Sequence, residues 1–239
     1  MRQLPNFITL LNLLSGCIGI VALATDNFEL AGLCIIASSV FDFFDGFAAR
    51  LLKSYSPLGK QLDSLADMVS FGVIPGMIMF RLFQHSHPMG IFENPDVMII
   101  GSYFMFVITL FSCLRLARFN IDTRQSDHFI GLPVPANTLF IASLPFIVQK
   151  DQFGMRDILL NPYVLLVIAM ASAWIMVANL PLIALKFKSY DWASNKGQWL
   201  LIILAIGCFF TLTYAALPMI IIFYVILSKI FPPKTISNA

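Results

Sequence analysis

Long apolar segments leave this chain few ways to fold. Candidate membrane helices fall at 7–24, 28–50, 62–83, 97–118, 133–149, 161–185, 198–214 and 217–231. A helix needs roughly 20 residues to cross a bilayer. Lipid offers no partners to exposed backbone N–H and C=O groups, so spans of this kind must be helical. Only 12% of the 239 residues are charged and 59% are hydrophobic, against about 25% charged in an ordinary soluble domain. The expectation is an all-α, polytopic integral membrane protein of about eight transmembrane helices, forming one transmembrane domain over 1–239. Apolar runs leave no room for a soluble domain, and a net charge of +2 is too small to argue for nucleic acid. Residues 198–231 are too many for one span and barely enough for two. Pro218 near the midpoint, with Lys196 and Lys229 at the two ends, favours a tight helical hairpin.

Eight spans put both termini on one side of the membrane. That side then carries Arg2, Arg50, Lys53, Lys60, Arg115, Arg118, Arg124, Lys186, Lys188, Lys196, Lys229 and Lys234, leaving only Arg81, Lys150 and Arg156 opposite. The positive-inside rule makes the basic side cytoplasmic and the location a cell (inner or cytoplasmic) membrane. Arg2, an apolar stretch and Ala22-Leu23-Ala24 superficially resemble a cleavable signal peptide. Asn6, Thr9, Asn12, Ser15 and Gly16 interrupt that stretch, so it reads as a retained first helix. The cysteines (Cys17, Cys34, Cys113, Cys208) lie in apolar stretches without a C-x-x-C pair and read as packing residues. His85 and His87 could bind a metal, but they fall in a loop on the far side.

Against this background four aspartates stand out: Asp42, Asp45, Asp63 and Asp67. Ionisable groups inside a membrane are expensive and mark functional sites. Asp42 and Asp45 are three apart and Asp63 and Asp67 four apart, so each pair shares a helical face. Two such faces turned together make an oxygen-rich cage for hard dications such as Mg²⁺ or Mn²⁺. Four carboxylates could hold two ions near charge balance, an arrangement suited to displacement at phosphorus.

The full pattern, D-x2-D-G-x2-A-R-x8-G-x3-D-x3-D, runs through Asp42, Asp45, Gly46, Ala49, Arg50, Gly59, Asp63 and Asp67. At about 5% usage per residue type, eight chance matches arise on the order of 10⁻¹⁰ per window. The pattern resembles the signature of the CDP-alcohol phosphotransferase family without a departure. That resemblance implies the family's fold, a homodimer, and Asp42, Asp45, Asp63 and Asp67 as metal ligands, with Asp67 also the general base. It further implies that CDP lies over Gly46 and Ala49, that Arg50 contacts the pyrophosphate, and that Asp45 and Gly59 border the nucleotide. Asn6 and Thr9, in PNFIT, are CDP-binding candidates or simply helix-capping residues.

SFGVIP (70–75), RLARFN (115–120) and FIGLPVPAN (129–137), with the first helix, resemble the branch of the family that uses L-serine as acceptor and CDP-diacylglycerol as donor. The resemblance covers about residues 3–140. A catalytic core over 1–150 followed by additional C-terminal helices over 151–239 is therefore expected. Arg115 and Arg118 are three apart and suit an anion, either carboxylate or pyrophosphate; they could equally serve the positive-inside bias or lipid headgroups. Asn120 is a candidate for the serine amine. The alternatives are a sibling transferase using glycerol 3-phosphate or an inositol phosphate, and a divalent-cation transporter lined by the aspartates.

Overall fold

A computed structural model describes residues 3–121, 129–183, 191 and 195–232. Arg2, Arg124, His128, Lys186, Lys188 and Lys234 lie outside the described residues. In chain order the helices are α1 (Leu4–Ala24), α2 (Phe28–Leu51), α3 (Pro57–Asp67), α4 (Ile74–Gln84), α5 (Pro95–Phe104), α6 (Val107–Ile121), α7 (Val134–Gln149), α8 (Arg156–Leu159), α9 (Pro162–Val177), α10 (Lys196–Leu212) and α11 (Ala216–Ile230). A two-residue strand β1 (Phe129–Ile130) pairs antiparallel with β2 (Pro181–Leu182), Phe129 opposite Leu182.

Local chemistry sets the helix starts. Asn27, Ser56, Asn94 and Asn161 each cap a following helix by accepting a backbone N–H, and in the last three a proline opens the helix. A side-chain acceptor satisfies an orphan N–H, and proline has none to satisfy. The Ser56-Pro57 start corrects the expected boundary at 62. Gly59 and Lys60 therefore sit on the first turns of the helix that carries Asp63 and Asp67.

Three helical runs, α1, α2 and Pro57–Gln84, are joined at the N-terminal end by tight connections, and Pro95–Ile121 forms a fourth. This last run is interrupted at Met105 and Phe106, between α5 and α6. α9 stops at Val177 rather than continuing to 185. Pro181 disfavours helix in the residue before it, and the chain turns extended to form β2, with the Gly131 N–H bonded to the Leu180 carbonyl at 2.8 Å. The apolar stretch Lys196–Ile230 breaks at Thr213, whose φ is +42°. A Cβ on Gly197 would lie 3.2 Å from Phe231 Cβ, so the start of α10 meets the end of α11. That is the expected hairpin, and with it the apolar helical segments among the described residues number eight.

Burial runs opposite to that of a soluble protein. On α1 the outward positions Phe7, Leu10, Leu14 and Val21 are exposed, whereas Thr9, Asn12, Ser15, Gly16 and Gly19 are buried. In a membrane, lipid solvates leucine as well as a core does, so small and polar residues mark the helix contacts. Gly16 shows how close these contacts are: a Cβ there would come within 2.5 Å of Ser70 Oγ.

Between α3 and α4, residues Met68–Val73 form a π-helical turn. Pro75 cannot donate the N–H that an α-helix would direct to the Phe71 carbonyl. The Thr138 hydroxyl donates to that carbonyl instead, at 2.7 Å, and Thr109 donates to the Gly72 carbonyl at 2.9 Å. The widened turn follows Asp67 directly.

At the opposite end of the bundle, Arg81 makes a bidentate pair with Asp26 in the α1–α2 turn, and His85 lies 3.1 Å from the same carboxylate. The Arg81 hydrogen bond, aided by His85 and opposed by burial, holds the Asp26 carboxyl below its ordinary range. A depressed carboxylate pKa adds stability above the unfolded value near 3.9, and this is lost as pH falls through the folded pKa. The Asp26 side chain is 36% exposed, so screening keeps the effect small. The contribution of this pair to the melting temperature in detergent should accordingly be constant near neutrality and fall below about pH 4. Asp26→Asn should lower the neutral plateau slightly and flatten this acid limb; an unchanged limb would remove the pair from the account. His87 pairs separately with Asp157 at 3.3 Å, so the two histidines face different carboxylates rather than one shared ion.

Candidate active site

The carboxylates converge where α1, α2 and α3 meet. One oxygen each from Asp42, Asp63 and Asp67 lies within 4.8 Å of the other two. Like charges this close repel strongly in a poorly solvated setting. The triad could hold a cation, and its all-oxygen donor set suits a hard dication.

Asp45 stands outside this triad. It is 6% exposed, accepts a 2.6 Å hydrogen bond from Thr9 Oγ1, and forms part of the wall of a cavity of about 550 Å³. Pro5, Asn6 and Thr9 of α1, Gly46 and Ala49 of α2, and Gly59, Lys60 and Asp63 of α3 line the same cavity, together with Ser54-Tyr55-Ser56-Pro57. Its size falls within the roughly 300–1,000 Å³ of small-molecule sites. Gly46 leaves its wall open, since a Cβ there would meet nothing within 4 Å. At Gly59 the constraint is packing, because a Cβ would approach Asn6 Oδ1 at 3.2 Å and the Ser56 cap at 3.1 Å. Of the sequence candidates for the nucleotide, only Arg50 is not in the lining; it is exposed on the last turn of α2.

The expected serine-binding residues lie on α6 and differ in their surroundings. Arg115 is 4% exposed, with its guanidinium 5.5 Å from the Phe119 ring centroid. Arg118 is exposed and donates to the Val177 carbonyl at 3.3 Å. The shared face inferred from their spacing is thus split by burial. Asn120 ties α6 to α3: its carbonyl accepts from Lys60 Nζ at 2.8 Å and its amide nitrogen donates to Ser64 Oγ at 2.7 Å.

Two participants escaped sequence reasoning. Lys60 bridges the cavity wall and the end of α6. Asn12, wholly buried, donates to Asp67 Oδ1 at 3.1 Å. A signal for Asn12 was present: Pro5, Thr9, Asn12, Gly16 and Gly19 recur at helical spacing, marking one small and polar stripe on an apolar helix.

The all-α membrane bundle thus places a carboxylate triad beside an open cavity. The CDP-alcohol phosphatidyltransferase family profile matches residues 2–184, and the chain belongs to that family. It is 34% identical over 146 residues to the CDP-diacylglycerol–serine O-phosphatidyltransferase of Bacillus subtilis, covering 61% of this chain and 77% of that protein. It is 29% identical over 226 residues to the enzyme of the same name from Helicobacter pylori strain 26695, covering 93% and 87%. The archaetidylserine synthase of Methanothermobacter thermautotrophicus is 30% identical over 142 residues, 59% of this chain and 56% of that protein. The protein is a multi-pass membrane transferase.

Proposed function

We propose that the protein transfers the phosphatidyl group of CDP-diacylglycerol to L-serine, forming phosphatidylserine and CMP. The observation that carries this reading is the Asp42–Asp63–Asp67 triad bordering a cavity whose wall is left open at Gly46. The names of the relatives favour serine over glycerol 3-phosphate or an inositol phosphate, and their transferase chemistry leaves the transporter reading without support.

In this proposal CDP occupies the cavity against Gly46 and Ala49, flanked by Asn6, Thr9, Asp45 and Gly59, with Arg50 reaching the pyrophosphate from the helix end. Mg²⁺ or Mn²⁺, two ions shared among Asp42, Asp45, Asp63 and Asp67, would supply charge stabilisation at the phosphorus. Asp67 takes the proton from the serine hydroxyl. The serine oxygen forms a bond to the phosphatidyl phosphorus as the bond from that phosphorus to the CMP oxygen breaks, and CMP leaves with the electron pair. Arg115 and Arg118 are the candidates for the serine carboxylate, while Asn120 orients the end of α6 on which they stand. The acyl chains remain in the bilayer and serine enters from the cytoplasm, which requires the triad to face the cytoplasmic side of the cell membrane. A homodimer belongs to the proposal, as does a catalytic core over 1–150 with added helices beyond it; the family match itself reaches residue 184.

The test is product formation by purified protein supplied with CDP-diacylglycerol, Mn²⁺ and labelled L-serine, beside labelled glycerol 3-phosphate and inositol phosphate. Phosphatidylserine with stoichiometric CMP is expected, and chelation should abolish it. Turnover of another acceptor alone would overturn the serine assignment. Arg118→Ala should raise the serine requirement roughly 10-fold, as for loss of a charge-assisted bond, and change that for CDP-diacylglycerol less. The reverse pattern would move Arg118 to the lipid site.

A further inference from the structure

Among the residues lining the 550 Å³ cavity, the charged side chains are Asp45, Asp63 and Lys60. Lys60 is exposed, and among the described residues its ammonium forms an ion pair with neither carboxylate. Its Nζ instead donates to the backbone carbonyl of Asn120 at 2.8 Å. Asn120 is the last residue but one of α6, where carbonyls lack N–H partners within the helix and the helix dipole favours a cation. An ammonium carries three N–H donors and no acceptor. The Asn120 carbonyl engages one of them, so this contact holds the charged group at the cavity edge and leaves it donors for a ligand.

The position of Lys60 along α3 gives the site a direction. Lys60 and Asp63 are three apart on that helix and so are neighbours on one face. Both line the cavity, and Asp63 belongs to the carboxylate triad as well. A group held by Lys60 inside the cavity therefore lies on the side nearest the triad. Arg50, the cation offered by the sequence pattern, stands outside the lining.

We propose that Lys60 binds the diphosphate of the nucleotide donor, its ammonium donating to phosphate oxygens while the Asn120 carbonyl keeps it in place. The assignment rests on the nucleotide reading of the cavity above. Phosphate fits this residue better than carboxylate does. A lysine ammonium is a compact point charge that serves phosphate oxygens from many directions, whereas a planar carboxylate is matched best by the guanidinium fork. Because the same ammonium is tied to α6, the donor and the helix carrying Arg115 and Arg118 share one contact. A lysine that only joined α3 to α6 would support the fold and add nothing to nucleotide affinity.

The experiment measures, by calorimetry in one Mn²⁺ buffer, the binding of CDP and of cytidine, which lacks the phosphates. Wild type is compared with Lys60→Met, which keeps the bulk without a donor, and Lys60→Gln, which keeps an N–H without a charge. Both variants should bind CDP about 10-fold more weakly, the low end for a hydrogen bond to a charged group because the residue is exposed to screening. Cytidine affinity should be unchanged, and CDP affinity should fall less steeply with added salt than in wild type. Equal weakening of CDP and cytidine would overturn the proposal by making Lys60 a packing residue of the wall. Unchanged CDP affinity would overturn it as well. With a lowered melting temperature the lysine would then be a tie between helices, and with a raised serine KM it would belong to the acceptor. Wild-type protein that binds no CDP would instead remove the nucleotide reading itself, and this assignment with it.

Discussion

Asp67→Asn should abolish turnover, with kcat falling by roughly 10²- to 10⁴-fold, the range associated with loss of a general base. The exchange keeps the side chain's shape, and an asparagine oxygen can still accept the Asn12 N–H that Asp67 Oδ1 accepts at 3.1 Å. It removes one of three carboxylates gathered within 4.8 Å, so the fold loses a repulsion rather than a support. Melting in the presence of chelator should therefore be unchanged or higher than wild type, while labelled serine is no longer incorporated. Residual activity within about 10-fold of wild type would be too large for loss of a base and would reassign that role. A collapsed melting temperature would recast Asp67 as structural.

Gly46→Leu is expected to separate folding from function in the opposite way. A Cβ at position 46 meets no atom within 4 Å, and leucine is favoured over glycine inside a helix by up to about 1 kcal/mol. The variant should express and melt at least as well as wild type. Yet position 46 lines the 550 Å³ cavity, and a leucine side chain would project into the space assigned to the nucleotide. Binding of CDP, followed by calorimetry, should weaken by 100-fold or more, roughly the effect of 3 kcal/mol. Near-normal CDP affinity would mean that the nucleotide lies elsewhere, and the cavity would lose its assignment.

Much of this was legible in the chain. Each apolar stretch could be read as a helix by itself, because the requirement to satisfy backbone groups in lipid acts within a segment. The spacing of Asp42 with Asp45 and of Asp63 with Asp67 likewise reports one helix face at a time. Boundaries were less secure. The start of α3 moved to Pro57 once Ser56 proved to cap it, and α9 stopped at Val177 because the following residues pair with β1. The arginines show where reasoning from a single helix fails. Arg115 and Arg118 are near neighbours on α6, yet one is buried and the other reaches the end of α9.

The sequence alone determined the class of the protein: a helical membrane bundle carrying a signature of membrane-embedded carboxylates. Tertiary structure decided which groups meet. Asp42, Asp63 and Asp67 form the triad while Asp45 turns to Thr9, and Asn12, unremarkable in the sequence except for its place on a polar stripe, lies against Asp67. Helical periodicity is a local property of backbone geometry and can be read along one segment. The meeting of α1 with α2 and α3 depends on small residues such as Gly16 that let the helices approach, and on hydroxyls of Ser38 and Ser70 that bind a carbonyl far away in sequence. Those contacts exist only between segments, so the identity of Asp67's partner could come only from the folded chain.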